Sequence, residues 1–203
     1  MKILVGLLAV VAMLPSGAAE LHVRFIGNEA FEITDGEHTL LSDFPYASGY
    51  SIYMDYPDSE LRRRENSLCL ITHTHGDHFE PSLVSAIGCR VVGPTAEPVE
   101  FGPLTVRPVR TPHRDLEHYS YLVEWHGLRL YFVGDTETTE HVPDDLDVLF
   151  VSPWLLWKLE AEGRRPAREM VVYHHTAGEK VECDRCRVPR QGETFVIGAG
   201  VKQ

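Results

Sequence analysis

The sequence predicts a strand-rich α/β domain that carries metal ligands on loops at strand ends. Three observations predict it. Short apolar runs recur along the chain, bounded by Gly, Pro, Asn or Asp, which is the pattern of buried strands rather than long helices. Ser67 to Gly93 reads as strand, polar loop, short helix and strand. The loop of that unit, His73-Thr74-His75-Gly76-Asp77-His78, holds three His and an Asp directly after Leu68-Cys69-Leu70-Ile71.

The elements follow in order. Leu21 to Gly27 and Ala30 to Thr34 alternate apolar and polar residues, as half-buried strands do. Asp35-Gly36 is a turn signal, and Thr39 to Phe44 reads as a third strand. Pro45 to Asn66, rich in Tyr, Ser, Asp and Arg, is expected to supply part of a pocket wall. Ser67 to Thr72 is a buried strand. Pro81 to Ile87 reads as a short helix, with Pro in its first turn and Gly88 closing it. Arg90 to Gly93 is the next strand. Leu104 to Val109, Tyr119 to Trp125 and Leu128 to Val133 are three more, the last two joined by a His126-Gly127 turn. Asp147 to Val151 is a buried strand, Trp154 to Ala161 a helix stopped by Gly163 and Pro166. Met170 to Tyr173 and Thr194 to Ile197 are the final strands.

Residues 1–19 form a separate object. Lys2, the apolar run Ile3 to Leu14 and small residues up to Ala19 describe a secretory signal peptide, so the chain is expected to be exported, periplasmic or secreted. An uncleaved anchor is the rival, although the run falls short of the ~20 residues of a membrane span. Residues 20–203 then form one domain, large enough for a real core. Its formal charge goes from −11 to −12 without Lys2, which argues against nucleic acid as the main partner. A small-molecule substrate is expected, with no stable membrane insertion after cleavage. Cys69 sits in an apolar strand and reads as a small buried hydrophobe, although an exported chain meets an oxidising compartment. Cys183-Asp184-Arg185-Cys186 reads as a local disulfide, with half a zinc site or free thiols as the rivals.

Imidazole and carboxylate ligands suit Zn²⁺, and also Mn²⁺ or Fe. His73 and His75 are placed to face one metal, Asp77 and His78 a second. Three later strand ends offer further ligands: Thr111-Pro112-His113, Gly134-Asp135-Thr136 and His174-His175. A single His after a strand is a weak signal; the joint occurrence of all four places is what suggests a metal centre. In open α/β sheets such sites lie at the carboxyl ends of strands.

These residues make the chain resemble the metallo-β-lactamase fold superfamily over essentially all of residues 20–203. The marks are His-x-His-x-Asp-His at 73–78 and Gly-Asp-Thr at 134–136. More narrowly it is similar to the small metal-dependent hydrolases near ascorbate-6-phosphate lactonase. Phe25 to Phe31 stands where that branch has a Gly-His-Ser/Ala-x-Phe opening, with Asn28 at its His. Leu41 to Pro45 resembles its Ile-Asp-Pro strand. The resemblance implies a four-layer αββα sandwich with two divalent ions at one rim, Zn²⁺ before Mn²⁺ or Fe. It implies His73, His75 and His113 on the first ion, Asp77, His78 and His175 on the second, and Asp135 between them. His175 is preferred to His174 because a short polar turn, Thr176-Ala177-Gly178, follows it. The short Val151–Met170 region points to a trimmed helix layer.

The implied chemistry is hydrolysis of an ester, lactone or phosphodiester by a bridging hydroxide between ions about 3.5–4 Å apart. Asp77 is placed to orient the water, and His118 to donate a proton to an oxyanion or leaving group. Asp43 either braces a ligand His or caps a turn. Arg110 and Arg114 flank His113, and are read as solvated before they are read as anion binders. Trp154, Trp157 and Tyr173 are read as core before pocket. Two other function classes remain open: an iron-dependent persulfide dioxygenase-like oxidoreductase, and a non-catalytic metal-binding protein. The substrate, the native metal and the oligomeric state leave no mark in the sequence.

Overall fold

The computed structural model describes residues 20–49 and 54–198; the expected signal peptide lies outside them. Thirteen strands among these residues build two mixed sheets. They are β1 (Glu20–Gly27), β2 (Ala30–Thr34), β3 (Thr39–Ser42), β4 (Ser67–Leu70), β5 (Arg90–Val92), β6 (Val99–Phe101), β7 (Leu104–Arg110), β8 (Tyr119–Trp125), β9 (Leu128–Phe132), β10 (Leu146–Val151), β11 (Ala167–Val172), β12 (Cys186–Arg187) and β13 (Thr194–Gly198). The first sheet runs β13-β1-β2-β3-β4-β5, and the second β12-β11-β10-β9-β8-β7-β6. Consecutive antiparallel strands follow one another directly, while β13 returns from the far end of the chain to pair antiparallel with β1. Pairs β3·β4, β4·β5, β9·β10, β10·β11 and β11·β12 are parallel, so their connections must cross over one face. Two of these crossovers carry the helices α1 (Val84–Ile87) and α2 (Pro153–Ala161).

The period-2 pattern decides what each strand buries. In β4, Leu68 and Leu70 point between the sheets, where they join Phe31, Trp125, Phe150 and Val171 in the main core. Cys69 and the following Ile71 point to the other side, with Leu41, Phe44, Tyr46, Tyr56 and Ile87. Because β4 is covered on both faces, it reads as a continuous apolar run. Leu155, Leu156 and Leu159 of α2 close the second sheet and belong to the main core; each fully buried leucine contributes ~1.5–3 kcal/mol.

The sandwich is the expected one, with thin helical layers. The predicted Pro81–Ile87 helix splits into a 3₁₀ turn, Pro81–Leu83, and a single α turn that ends on left-handed Gly88. Cys69 is bonded to Cys89, and Cys183 to Cys186. Cys69 is thus a buried residue, as expected, and also half of a disulfide. The 45–66 stretch is fastened in two ways. Arg64, its side chain 6% exposed, pairs with Glu32 at 2.7 Å and Glu60 at 3.0 Å. Ala47 N–H donates to the Gly76 carbonyl, which sets this stretch against the His-rich loop. Short β6 and β12 had no legible signal, being three and two residues long.

The predicted Asp35-Gly36 turn carries a further contact. Asp35 Oδ1 accepts from the Glu37 and His38 amides, while Oδ2 accepts from Trp125 Nε1 at 3.2 Å and His126 Nε2 at 2.8 Å. Burial acts to raise its pKa, but the donors of His38, His126, Glu37 and Trp125 hold it well below the usual carboxylate range. A folded pKa below the unfolded value of about 3.9 means that the contribution is complete above the unfolded pKa. It is lost as pH falls through the folded one. Asp35→Asn is therefore expected to be less stable than the parent at pH 7, with the difference clearly smaller at about pH 2. Urea denaturation at the two pH values measures this, and an equal difference at both would contradict it.

Candidate metal centre

The His-rich loop leaves β4 at its carboxyl end. Its first residue, His73, is fully buried, and His78 is equally so. The loop closes on itself through His78 N–H and Phe79 N–H, which both donate to the His75 carbonyl. His73 Nε2 and His75 Nδ1 lie 2.9 Å apart. Two further strand ends converge on this loop. Tyr119 N–H donates to the Thr72 carbonyl, which locks the start of β8 to the end of β4 across the two sheets. The 111–118 loop therefore brings His113 to His73, with ring centroids 4.8 Å apart. From β9, Asp135 places its carboxylate 3.8 Å from His73 Nε2, 3.4 Å from His78 Nε2 and 4.0 Å from His113 Nε2.

Two ligand groups result. One is His73, His75, His113 and Asp135; the other is Glu29, Asp77, His78 and His174. The ligand atoms of each group lie within 4.8 Å of one another. Asp135 also reaches 3.6 Å from His174 Nε2, so its carboxylate stands between the two groups.

The structure brings six of the seven expected metal ligands together and replaces the seventh. The expected His175 is in neither group; His174 stands there instead. His174 takes a left-handed backbone (φ 55°), and its N–H donates to the Asn28 carbonyl at 2.9 Å. That bond aims the His174 side chain at Glu29, Nε2 to Oε1 2.9 Å. His175 turns the opposite way, packing against Phe25 with ring centroids 5.6 Å apart. The polar turn after it is real, but it does not determine which neighbour faces inward. Glu29 was missed altogether. Its one signal was its place, the second residue of a two-residue β1–β2 hairpin inside the Phe25–Phe31 opening.

His118 is a second correction. Its Nε2 accepts the Asp135 N–H at 2.9 Å, so the imidazole proton sits on Nδ1 and faces Thr111 Oγ1 at 2.8 Å. Thr111 then pairs with Ser120, which donates to the Val133 carbonyl. Burial, aided by repulsion from neighbouring imidazoles and opposed by Asp135, pushes the His118 pKa down to about 3. Both nitrogens are engaged and the ring is neutral, so His118 has no proton to give to an oxyanion. It positions Asp135 instead. Gly134 is required for that approach: it has φ +64°, and a Cβ there would lie 2.4 Å from His118 Nε2.

Asp43 both braces and caps. Its Oδ2 lies 3.1 Å from His78 Nδ1, and its Oδ1 accepts the Thr72 N–H at 2.8 Å. The brace fixes the His78 tautomer and leaves Nε2 facing the centre. Arg110 and Arg114 are exposed, as their solvated reading held. Trp157 is 49% exposed and Tyr173 is buried, its hydroxyl donating to the Gly134 carbonyl. Only Trp154 of these aromatics touches the centre, its ring edge-on to His174 at 4.8 Å.

The charges demand a cation. His78 Nε2, His113 Nε2, Asp135 Oδ1 and Glu29 Oε2 are buried without a hydrogen-bond partner, which is costly unless something satisfies them. Burial alone would lower the pKa of His174, yet Glu29 and Asp135 push it up to about 10. His78 is raised in the same way, against its burial, by Glu29, Asp135 and Asp43. Burial would raise Asp135, but His78 and His174 hold it well below the carboxylate range. Convergent imidazole lone pairs and carboxylates with this unmet demand fit divalent metal ions.

A two-sheet sandwich with imidazoles and carboxylates gathered at one rim defines a metal-binding protein of the metallo-β-lactamase fold. The chain belongs to the β-lactamase superfamily, whose domain model matches residues 22–152. A metal-dependent hydrolase of Thermococcus onnurineus is 30% identical over 142 residues, which is 56% of this chain and 61% of that relative. A metallo hydrolase of the archaeon Ignicoccus hospitalis superposes with a TM-score of 0.68 at 16% identity, covering 87% of this chain and 98% of that one. An isothiocyanate hydrolase from Delia radicum gut bacteria gives 0.65 at 14% identity, covering 89% and 100%. At these identities the two structural likenesses are of fold.

Proposed function

We propose that the protein is a metal-dependent hydrolase with a dinuclear centre, acting on an ester, lactone or phosphodiester of a small molecule. The observation that carries this reading is the pair of four-residue ligand groups, with the Asp135 carboxylate of the first lying 3.4 Å from His78 Nε2 and 3.6 Å from His174 Nε2 of the second. His73, His75 and His113 would hold one ion, Asp77, His78 and His174 the second, and Asp135 would bridge them. When bound, two such ions would lower the pKa of water towards about 7 and polarise the carbonyl or phosphoryl oxygen of the substrate.

The chain's own residues do the rest. Asp43 holds the His78 ring and His118 holds the Asp135 main chain in place, so little reorganisation accompanies reaction. Asp77, its side chain 13% exposed, is the carboxylate open enough to orient an incoming water or accept its proton. No protein nucleophile is invoked. The T. onnurineus relative supports the reaction class. The fully formed second group favours hydrolysis over a single-iron dioxygenase and over a non-catalytic metal binder.

We infer that the chain is exported. The signal-like residues 1–19 support this, and so do two disulfides, which persist in oxidising compartments.

Metal analysis of the purified mature chain beside His75→Ala tests the function. Two Zn²⁺ or Mn²⁺ ions per chain are expected, reduced to about one in the variant, together with turnover in a screen of esters, lactones and phosphodiesters. A single iron with oxygen uptake would replace the hydrolase by an oxidoreductase. No bound metal after reconstitution would end the catalytic reading.

A further inference from the structure

We propose that Glu29 is a ligand of the ion held by Asp77, His78 and His174, and that it tunes this half of the centre towards a harder divalent cation. Relative to the His73–His75–His113 half, the Glu29 half would favour Mn²⁺ over Zn²⁺. This rests on the metal-centre reading above and gives a role to Glu29, which stands in the second ligand group but is assigned to neither ion there.

Glu29 is built in, not dangling. It is the second residue of the β1–β2 hairpin, after Asn28 with φ 51°. Its main-chain carbonyl accepts from Ser42 Oγ at 2.9 Å. The Asn28 carbonyl accepts the His174 N–H, and Asn28 Oδ1 accepts the Met54 N–H at 3.0 Å. The hairpin tip is thereby clamped to the end of β11, and the Glu29 side chain, 1% exposed, points at the same place as His174. Its Oε2 is buried without a hydrogen-bond partner, 3.8 Å from His78 Nε2. Among the described residues its ion-pair partners are the imidazoles of His78 and His174, and neither is an arginine or lysine. A carboxylate so deeply buried beside two ligand imidazoles has a cation as its natural partner.

The two halves then differ in kind. The first offers three imidazoles and Asp135. The second offers two imidazoles and the carboxylates of Glu29 and Asp77, with Asp135 beside them. Imidazole suits Zn²⁺, whereas carboxylate oxygens suit Mn²⁺ and other hard ions. Zn²⁺ binds more tightly than Mn²⁺ at almost any such site, so the geometry acts on the ratio of the two affinities.

The test loads metal-free protein with one equivalent of Zn²⁺ and then titrates Mn²⁺, with free Mn²⁺ read by electron paramagnetic resonance. Competition with a chelator measures the first and second Zn²⁺ in parallel. The Zn²⁺-loaded parent is expected to take one Mn²⁺. Glu29→Gln keeps the size of the side chain and one acceptor oxygen but loses its charge. It is expected to weaken Mn²⁺ binding about tenfold or more, to weaken the second Zn²⁺ by less, and to leave the first Zn²⁺ unchanged. Glu29→Asp, which keeps the charge, is expected to recover part of the Mn²⁺ affinity. Circular dichroism verifies that both variants are folded. Mn²⁺ affinity equal in Glu29→Gln and parent, or a first Zn²⁺ weakened as much as the Mn²⁺, would overturn the assignment. Failure of the parent to bind any metal would instead overturn the centre itself.

Discussion

Asp135→Ala is expected to empty the centre, with metal content falling from two ions to less than one and hydrolysis falling about 10³-fold or more. At 1.36 kcal/mol per factor of ten, that is a loss of about 4 kcal/mol of transition-state stabilisation. The size follows from position. The Asp135 carboxylate stands within 4.0 Å of the ring nitrogens of His73, His78, His113 and His174. Removing it takes a negative charge from both ligand groups at once, whereas any single imidazole serves one. Asp135→Asn separates charge from shape, since it keeps the volume beside His118 and loses only the anion. Elemental analysis and turnover are measured on the same preparations. An alanine variant that keeps two ions would sink the bridging role.

Reduction of the Cys69–Cys89 disulfide is expected to lower stability by about 3 kcal/mol, because the bond closes a loop of ~20 residues in the unfolded chain. For a domain of this size that corresponds to a fall in Tm of about 6–12 °C. The bonded residues are 20 apart and bracket both the His-rich loop and α1. Between β4 and β5 this segment has only a 3₁₀ turn and one α turn to hold it. Thermal denaturation with and without reductant, beside a Cys69→Ala/Cys89→Ala variant, gives the value. An unchanged Tm would show that Cys69 acts only as a buried apolar side chain.

The sequence was most legible where a signal is local. Strands β1, β2, β4 and β8 to β10 follow from alternation or from continuous apolar runs. The His126-Gly127 turn follows from residues that tolerate positive φ, here 51° and 80°. The 73–78 loop is legible because four ligands in six positions face one another wherever the loop is placed. The αββα class came through resemblance to a family and not from periodicity. Short β12 was hidden because a two-residue strand exists only by pairing with β11.

Local sequence alone points to a candidate metal centre and to most of its candidate donors: His73, His75, Asp77, His78, His113 and Asp135. Tertiary structure decided three things. It chose His174 over His175, because neighbours on a turn point to opposite sides, and a bond from His174 N–H to the distant Asn28 carbonyl sets which side faces inward. It drew in Glu29, an ordinary hairpin residue until the opposite sheet closes over it. It turned His118 from a candidate acid into a neutral support, because Asp135 N–H occupies the nitrogen that would have carried the proton. In each case the deciding partner lies 17 to 146 residues away along the chain, a distance that no local pattern spans.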